Sequence, residues 1–488
     1  MCRTLVLLFG LTLGLTLGLR SDVAHAATFS VTNSSNSGAG SLRQAISDAN
    51  TAAGSSHTVV FTSSFPLNGT VTLQSSLPVI VANDLEIFGN GRNPRISGAD
   101  SFAILRAASS VSSLELQDLR LANGRSNTGG CIFRGDQNSS GSLIVRRSTF
   151  DGCSAVDPLN PRGGAITWRS NSGGLLLIEA SSFTDNRAQS TGPGDQQPGG
   201  GAIESYVLTV IRDSSFVGNS VQTSNSDGGF GGALYLSLEN VGIFNSVLTG
   251  NRFQFNSVTP IADSFAQGGA VFAFFRDGAA LQVAGNYFRG NSARAGGAIS
   301  TSANSLTSGT LTVQNNTFYN NSVVNSGGAA HLTNLRLVAD HNTFFNNDGG
   351  SSGHLYLRNV TVERMVHQAF APTFVGPPCE LVNVVTSGAY LRGNQFAAAC
   401  GALSASGAVV TGQFAVAQID DSDQRIGVIR FAPGAAPIDG GTSTPSDCLA
   451  EDARGASRPL DGDGNGSSIC DVGAFEHPND QIFRNGFE

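Results

Sequence analysis

The chain has 488 residues, of which 40% are hydrophobic and 13% charged, with a formal net charge of −8. That apolar share with so little net charge argues against disorder, and 36 acidic against 28 basic residues leave no basic face for a nucleic-acid partner. Every basic residue is arginine, so lysine bases, Schiff-base lysines and the P-loop lysine are excluded.

Residues 1–26 read as a secretory signal peptide. Arg3 supplies a short positive region, Leu5 to Leu19 an apolar run, and Ala24-His25-Ala26 a small-x-small cleavage site. The competing reading is a membrane anchor, but a spanning helix needs about twenty apolar residues and the run has about fifteen. Removal of the signal takes Cys2 with it. Six cysteines remain: Cys131, Cys153, Cys379, Cys400, Cys448 and Cys470. An even number in an oxidising compartment points to disulfides. They form three local pairs, and proximity alone suggests 131–153, 379–400 and 448–470. No Cys-x-x-Cys and no cysteine–histidine cluster supports zinc.

Residues 27–128 form an N-terminal cap and irregular first coils. Ser41 and Gln44 make a capping-box pattern, and Leu42, Ala45, Ile46 and Ala49 share one helical face. The pattern predicts a short helix ending near Asn50 that covers the first coil. Thr58 to Phe61, Val71 to Leu73, Leu85 to Phe88 and Leu114 to Leu121 read as strands.

From 129 to 347 the chain repeats. A Gly-Gly-small-apolar block recurs at Gly163, Gly200, Gly231, Gly268, Gly296 and Gly327, with an earlier copy at Gly129. Each is followed by Phe-x-x-Asn: Phe183 and Asn186, Phe216 and Asn219, Phe288 and Asn291, Phe318 and Asn321, Phe344 and Asn347. Phe150 to Cys153 is a variant. In one repeat, Leu248 with Asn251 and Phe253 with Asn256 compete. Between the blocks lie alternating runs such as Leu208-Thr209-Val210, which predict half-buried strands. Each repeat reads as strand, turn, strand, turn, short strand, turn, with no amphipathic helix. One such coil cannot bury its own apolar face, but a stack can. Inward phenylalanines would stack, asparagines would form a ladder, and Gly-Gly would turn a tight corner. The fold class is therefore all-β, a single-stranded right-handed parallel β-helix (a solenoid) with a short N-terminal capping helix. A propeller needs longer repeats. Residues 348–437 read as degenerate C-terminal coils, and 438–488 as a separate terminal segment after Pro433 and Pro437.

The paired Gly-Gly-Ala-Ile and Phe-x-x-Asn blocks resemble the repeats of chlamydial polymorphic outer membrane proteins, which implies a β-helical surface adhesin. Gly40 to Ile46 is similar to a segment near the N-terminus of many exported bacterial β-helix proteins, with Gly40 in place of Cys. The stretch from Arg454 through Cys470-Asp471-Val472-Gly473-Ala474-Phe475-Glu476 resembles the end of the choice-of-anchor Q domain, which precedes surface-anchoring tails. Residues Ile482 to Glu488 are similar to short tails on exported proteins of Xanthomonas-like bacteria. The chlamydial-type proteins end in a translocator barrel, and no series of barrel strands follows Asn347 here.

Asp461, Asp463 and Asn465 place oxygens at positions 1, 3 and 5 of a calcium-type loop with Gly466 at 6, but Val472 stands where a bidentate Glu belongs. Calcium is weighed there against a solvated Asx turn. β-Helices also carry polysaccharide lyases and hydrolases, which cluster carboxylates. The densest acidic run is Asp420-Asp421-Ser422-Asp423, and Gly353-His354 lacks the acidic pairs that would precede it in a pectin hydrolase. His331, His341 and His367 stand singly. No catalytic constellation emerges. The expectation is a non-catalytic secreted or cell-surface scaffold of a Gram-negative bacterium, acting in adhesion through a glycan or protein ligand. It would be monomeric, with peripheral or anchored association with the outer membrane, and would present loops such as 189–199 and 222–230. The alternative is a carbohydrate-active enzyme on the same fold. A groove with three or more convergent carboxylates, arginines or histidines would favour the enzyme, and a face of Ser, Thr, Asn and Gly the binder.

Overall fold

The computed structural model describes residues 26–478 except 136–139, 171–172, 193–196, 224–227, 239–244, 260–264, 305–308, 374–375, 406–407, 410–413 and 422–425. The expected signal peptide up to residue 25, the C-terminal residues from 479, the tips of both expected loops and Asp423 lie outside the described residues. The rest is a right-handed parallel β-helix.

A representative coil contains the strands Ile203–Ser205, Leu208–Arg212, Ser215–Val217 and Ser220–Gln222. Equivalent strands pair in parallel from coil to coil, as in Ile203 with Leu234, Phe216 with Phe253 and Val221 with Val258. The result is sheets of 21, 13 and 9 strands. Sequence alternation predicts three strands per repeat, and the fourth arises because the first two share one sheet. In the last coils they fuse into single strands, Ala330–Asp340 and Leu355–Val366.

Repetition holds the shaft together. Phe150, Phe183, Phe216, Phe253, Phe288, Phe318, Phe344, Phe370 and Phe396 form one stack, with adjacent ring centroids 4.6 to 5.0 Å apart and planes within 10°. Each buried ring contributes about 2–3 kcal/mol by area. The stack therefore runs two coils beyond the last clear sequence repeat. Beside it, Asn186, Asn219, Asn256, Asn291, Asn321 and Asn347 form a buried ladder, each Nδ2 donating to the next Oδ1 at 2.9 Å. Each also donates to a backbone carbonyl, Asn256 to that of Phe216 at 2.9 Å. Their amides are thus satisfied without water, as burial demands. Asn347 ends the ladder against His354 Nδ1 at 3.2 Å, while His354 Nε2 donates to the carbonyl of Ala371 at 2.7 Å.

A second ladder runs through Asn251, Asn286, Asn316, Asn342 and Gln368. Upstream, Ser148, Ser181 and Ser214 occupy the same column. This resolves the blurred repeat: Phe253 and Asn256 are in register, and Asn251 belongs to the other ladder. The signal was in the sequence as Ser or Asn two residues before each Phe.

The glycine pair divides two tasks at each corner. Gly200 has φ +66°, and a Cβ on Gly201 would lie 2.0 Å from the carbonyl oxygen of Gly232 on the next coil. Only glycine meets both demands.

At the N-terminus the helix Leu42–Thr51 buries Leu42, Ala45, Ile46 and Ala49, and Ser41 Oγ accepts the Gln44 amide. Gln44 does not complete the box, because its side chain bonds Asp48. A strand before the helix, Ala27–Val31, pairs with Ser56–Phe61. At the other end the chain folds back as a wrap over the outside of the second sheet. Phe414, Ile429, Phe431 and Val472 pack there with Ala369 and Ala371, joined by the partly buried Tyr319 and Phe345. This wrap starts ahead of residue 438 and includes the antiparallel pair Val416–Asp420 and Val428–Phe431. Among the described residues no helix is long and apolar enough to cross a membrane.

Candidate ligand face

Each glycine corner fixes the register of the short strand that follows. Two positions after the second glycine stands an inward aliphatic residue, and the residue after that faces outward. Stacking makes these outward residues one row: Arg106, Phe133, Thr167, Glu204, Tyr235, Phe272, Ser300, His331 and Tyr356. Neighbours in the row are about 4.8 Å apart. The third sheet stands beside it and makes the other wall of a groove.

The middle of the groove is filled. Glu204 is fully buried and paired with Arg169 at 2.8 Å and Arg162 at 3.5 Å. Arg162 lies 5.0 Å from the ring of Tyr235, and Arg169 5.1 Å from that of Tyr206. Phe230, from the opposite wall, packs on Phe272 at 4.5 Å. Burial opposes the charge of Arg162, yet Glu204, Tyr206 and Tyr235 hold its pKa above the usual value. Burial, then the charge of Glu204, pushes the phenol of Tyr206 up, so it stays a hydroxyl. This carboxylate is locked in an ion cluster and has no second carboxylate beside it in the row.

Both ends of the groove are open. The N-terminal cavity, about 400 Å³, is lined by Arg106 and Arg125 with Ser101, Phe102, Asn127 and Thr128 among others. The C-terminal cavity, about 340 Å³, is lined by Arg294 and Arg358 with Gln267, Asn325, Thr333, His331 and Tyr356 among others. His331 stacks on Tyr356 with centroids 4.3 Å apart, and its Nδ1 lies 3.0 Å from Ser326 Oγ. Burial lowers the His331 pKa to about 4, so the imidazole is neutral at pH 7. No Asp or Glu is among the described residues lining either cavity. The C-terminal cavity, with Arg294, Arg358 and His331, has the three convergent groups set out for the enzyme reading, though none is a carboxylate, and the N-terminal cavity, with two arginines, does not.

The other sequence-singled residues lie elsewhere. The cysteines are joined 131–153, 379–400 and 448–470, with Cα separations of 5.6, 5.1 and 6.0 Å. Asp461 and Asp463 converge with Asp439, while Asn465 Oδ1 accepts the amide of Ser467 at 2.8 Å. Asn465 turns its amide onto Asp463 Oδ2 at 2.8 Å. Asp461 accepts the backbone amides of Gly464, Asn465 and Gly466, and Asp439 accepts that of Asp463. The loop is an Asx turn whose carboxylates accept its own backbone amides, and oxygens of Asp439, Asp461 and Asp463 lie within 4.8 Å of one another. Burial, with Asp471 and Asp463 nearby, raises the Asp439 pKa to about 6. Asp420 is bonded to Arg430 and Arg454, each at 2.8 Å, and Asp421 to Arg289, so these two acids fasten the wrap. His341 and His367 form a buried pair, His367 Nδ1 to His341 Nε2 at 2.9 Å.

Sequence reasoning did not single out Arg162, Arg169, Glu204, Tyr206 or Tyr235. Aligning the repeats on Gly-Gly puts Glu204, Tyr235, Phe272 and His331 in one column, which was the available signal. Compared with known proteins, the chain matches no family model and no curated sequence.

Proposed function

We propose that this protein is an exported, non-catalytic β-helix scaffold of the bacterial cell surface that binds a surface ligand along its arginine–aromatic face. One observation carries the reading. A chain of net charge −8 has, on a single face, two open cavities whose charged lining residues are all arginine. Three disulfides support an oxidising, extracytoplasmic setting. The resemblance of the C-terminal stretch to a choice-of-anchor domain supports attachment to the outer membrane through the segment that follows it. Binding is favoured over glycoside hydrolysis because hydrolysis uses two opposed carboxylates, and the one buried in this groove is neutralised by Arg162 and Arg169.

The test is a polysaccharide panel read two ways, as binding to immobilised protein and as release of reducing ends or unsaturated products. The expected result is binding with no new ends. Time-dependent product release would overturn the proposal.

A further inference from the structure

Resting on that reading of the face, we infer that its ligand is an acidic polysaccharide, a uronate-type chain, that spans both arginine cavities at once.

Arg106 and Tyr356 stand in one row at the two cavities, separated by eight coil steps. At about 4.8 Å per step the span is about 40 Å. The rise per coil is close to the length of one pyranose residue, so an extended chain of roughly nine sugars would lie along the row in step with it. Guanidinium groups pair with carboxylates through two parallel hydrogen bonds, and the N-terminal cavity presents Arg106 and Arg125 and the C-terminal cavity Arg358. The remaining lining supplies amide and hydroxyl partners for sugar hydroxyls. Phe102 in one cavity and Tyr356 in the other supply apolar ring surface for sugar C–H faces. Between the cavities the groove is filled by the rings of Phe230, Tyr235 and Phe272 and by the Arg162–Glu204–Arg169 cluster, so a chain would pass over them and be anchored at its ends. Glu380 follows Tyr356 on the next coil, which places the nearest row carboxylate just past the C-terminal cavity.

Two anchors on one chain convert the second contact into an intramolecular one, so affinity should rise sharply once the ligand reaches across. The experiment measures binding of a tetramer and a dodecamer of galacturonate by calorimetry. Malto-oligosaccharides of matched length and poly-glutamate serve as comparisons. Variants are Arg106→Ala with Arg125→Ala, Arg358→Ala, and Tyr356→Ala, each checked for an unchanged thermal melt.

The dodecamer is expected to bind at least about tenfold more tightly than the tetramer and to weaken as salt rises. Loss of Arg106 and Arg125 together, or of Arg358, is expected to return it to the affinity of the tetramer. Equal affinity for the two lengths overturns the spanning geometry. Equal affinity for neutral saccharide or for poly-glutamate overturns the ligand class. If a neutral saccharide binds and Tyr356→Ala abolishes it, the ligand class falls while the binding face stands. If no saccharide binds, both fall.

Discussion

The shaft and the wrap that folds back on it are stabilised in opposite ways. In the shaft the coils between residues 163 and 347 repeat the same few contacts: a phenylalanine on a phenylalanine, an asparagine amide on an asparagine carbonyl, and a glycine against the next glycine. In the wrap almost nothing repeats. Arg458 and Glu476 form an ion pair at 3.2 Å with both side chains fully buried. Arg458 also donates to the carbonyls of Asp471 and Gly473. His477 bridges Asp471 and the amide of Phe431. The seam is equally singular: Thr442 N donates to His367 Nε2 at 2.8 Å, and Gly473 N to the carbonyl of His367 at 2.8 Å. A repeated core spreads loss over many equivalent sites, whereas a layer of single polar contacts stands or falls on one.

That contrast can be broken experimentally. Phe253→Ala removes one ring from the middle of the stack and should cost about 3–5 kcal/mol, shifting the main transition in urea. Arg458→Ala should cost a similar amount, about 3–5 kcal/mol, because a buried carboxyl is left facing no cation. Its effect should be confined to the wrap, so limited proteolysis should release residues beyond about 414 while the shaft transition stays in place. A single cooperative loss in both variants would erase the distinction. Cys448→Ser with Cys470→Ser opens a loop of 22 residues and should cost about 3 kcal/mol, again within the wrap.

Acid should act on the seam next. Burial, together with Arg458 and Arg364 and against Asp447, lowers the His367 pKa to about 4, and burial lowers that of His354 to about 4. A histidine depressed in the folded state contributes stability that is complete above its unfolded pKa, about 6.5, and lost as pH falls toward 4. Protonation would turn His367 Nε2 from the acceptor of the Thr442 amide into a donor. Melts monitored from pH 7 to pH 4 should therefore decline progressively, and His367→Gln should flatten part of that decline. Least of all, Arg336→Ala breaks a pair with Glu363 whose side chains are 53% and 41% exposed. It should change stability by less than about 1 kcal/mol.

The same contrast decides what could be read from the sequence. Phenylalanine and asparagine recur at one spacing because each must meet its own copy one coil away, and that recurrence marks the solenoid. The helix behind Ser41 was legible because a cap and a stripe are local. The second amide ladder was partly hidden, since serine holds its column in the early coils and asparagine in the later ones. Arg458, Glu476 and His367 carry no such periodic mark. Arg458 and Glu476 meet once within the wrap, and His367 takes its role only where the chain doubles back over about a hundred residues, as when Gly473 N reaches its carbonyl. The proposed ligand face lies between these cases: its positions repeat, but its residue types do not. Arginine, glutamate, tyrosine and histidine in one column look like variation until stacking turns them into a groove.

The most direct measurement is hydrogen exchange of the intact protein with and without a galacturonate dodecamer. Slowed exchange is expected in two separated stretches, near residues 101–106 with 125–128 and near 292–295 with 325–333 and 356–358. The wrap and the outside of the phenylalanine-bearing sheet should be unchanged. Protection confined to the wrap or to that opposite sheet would contradict the account.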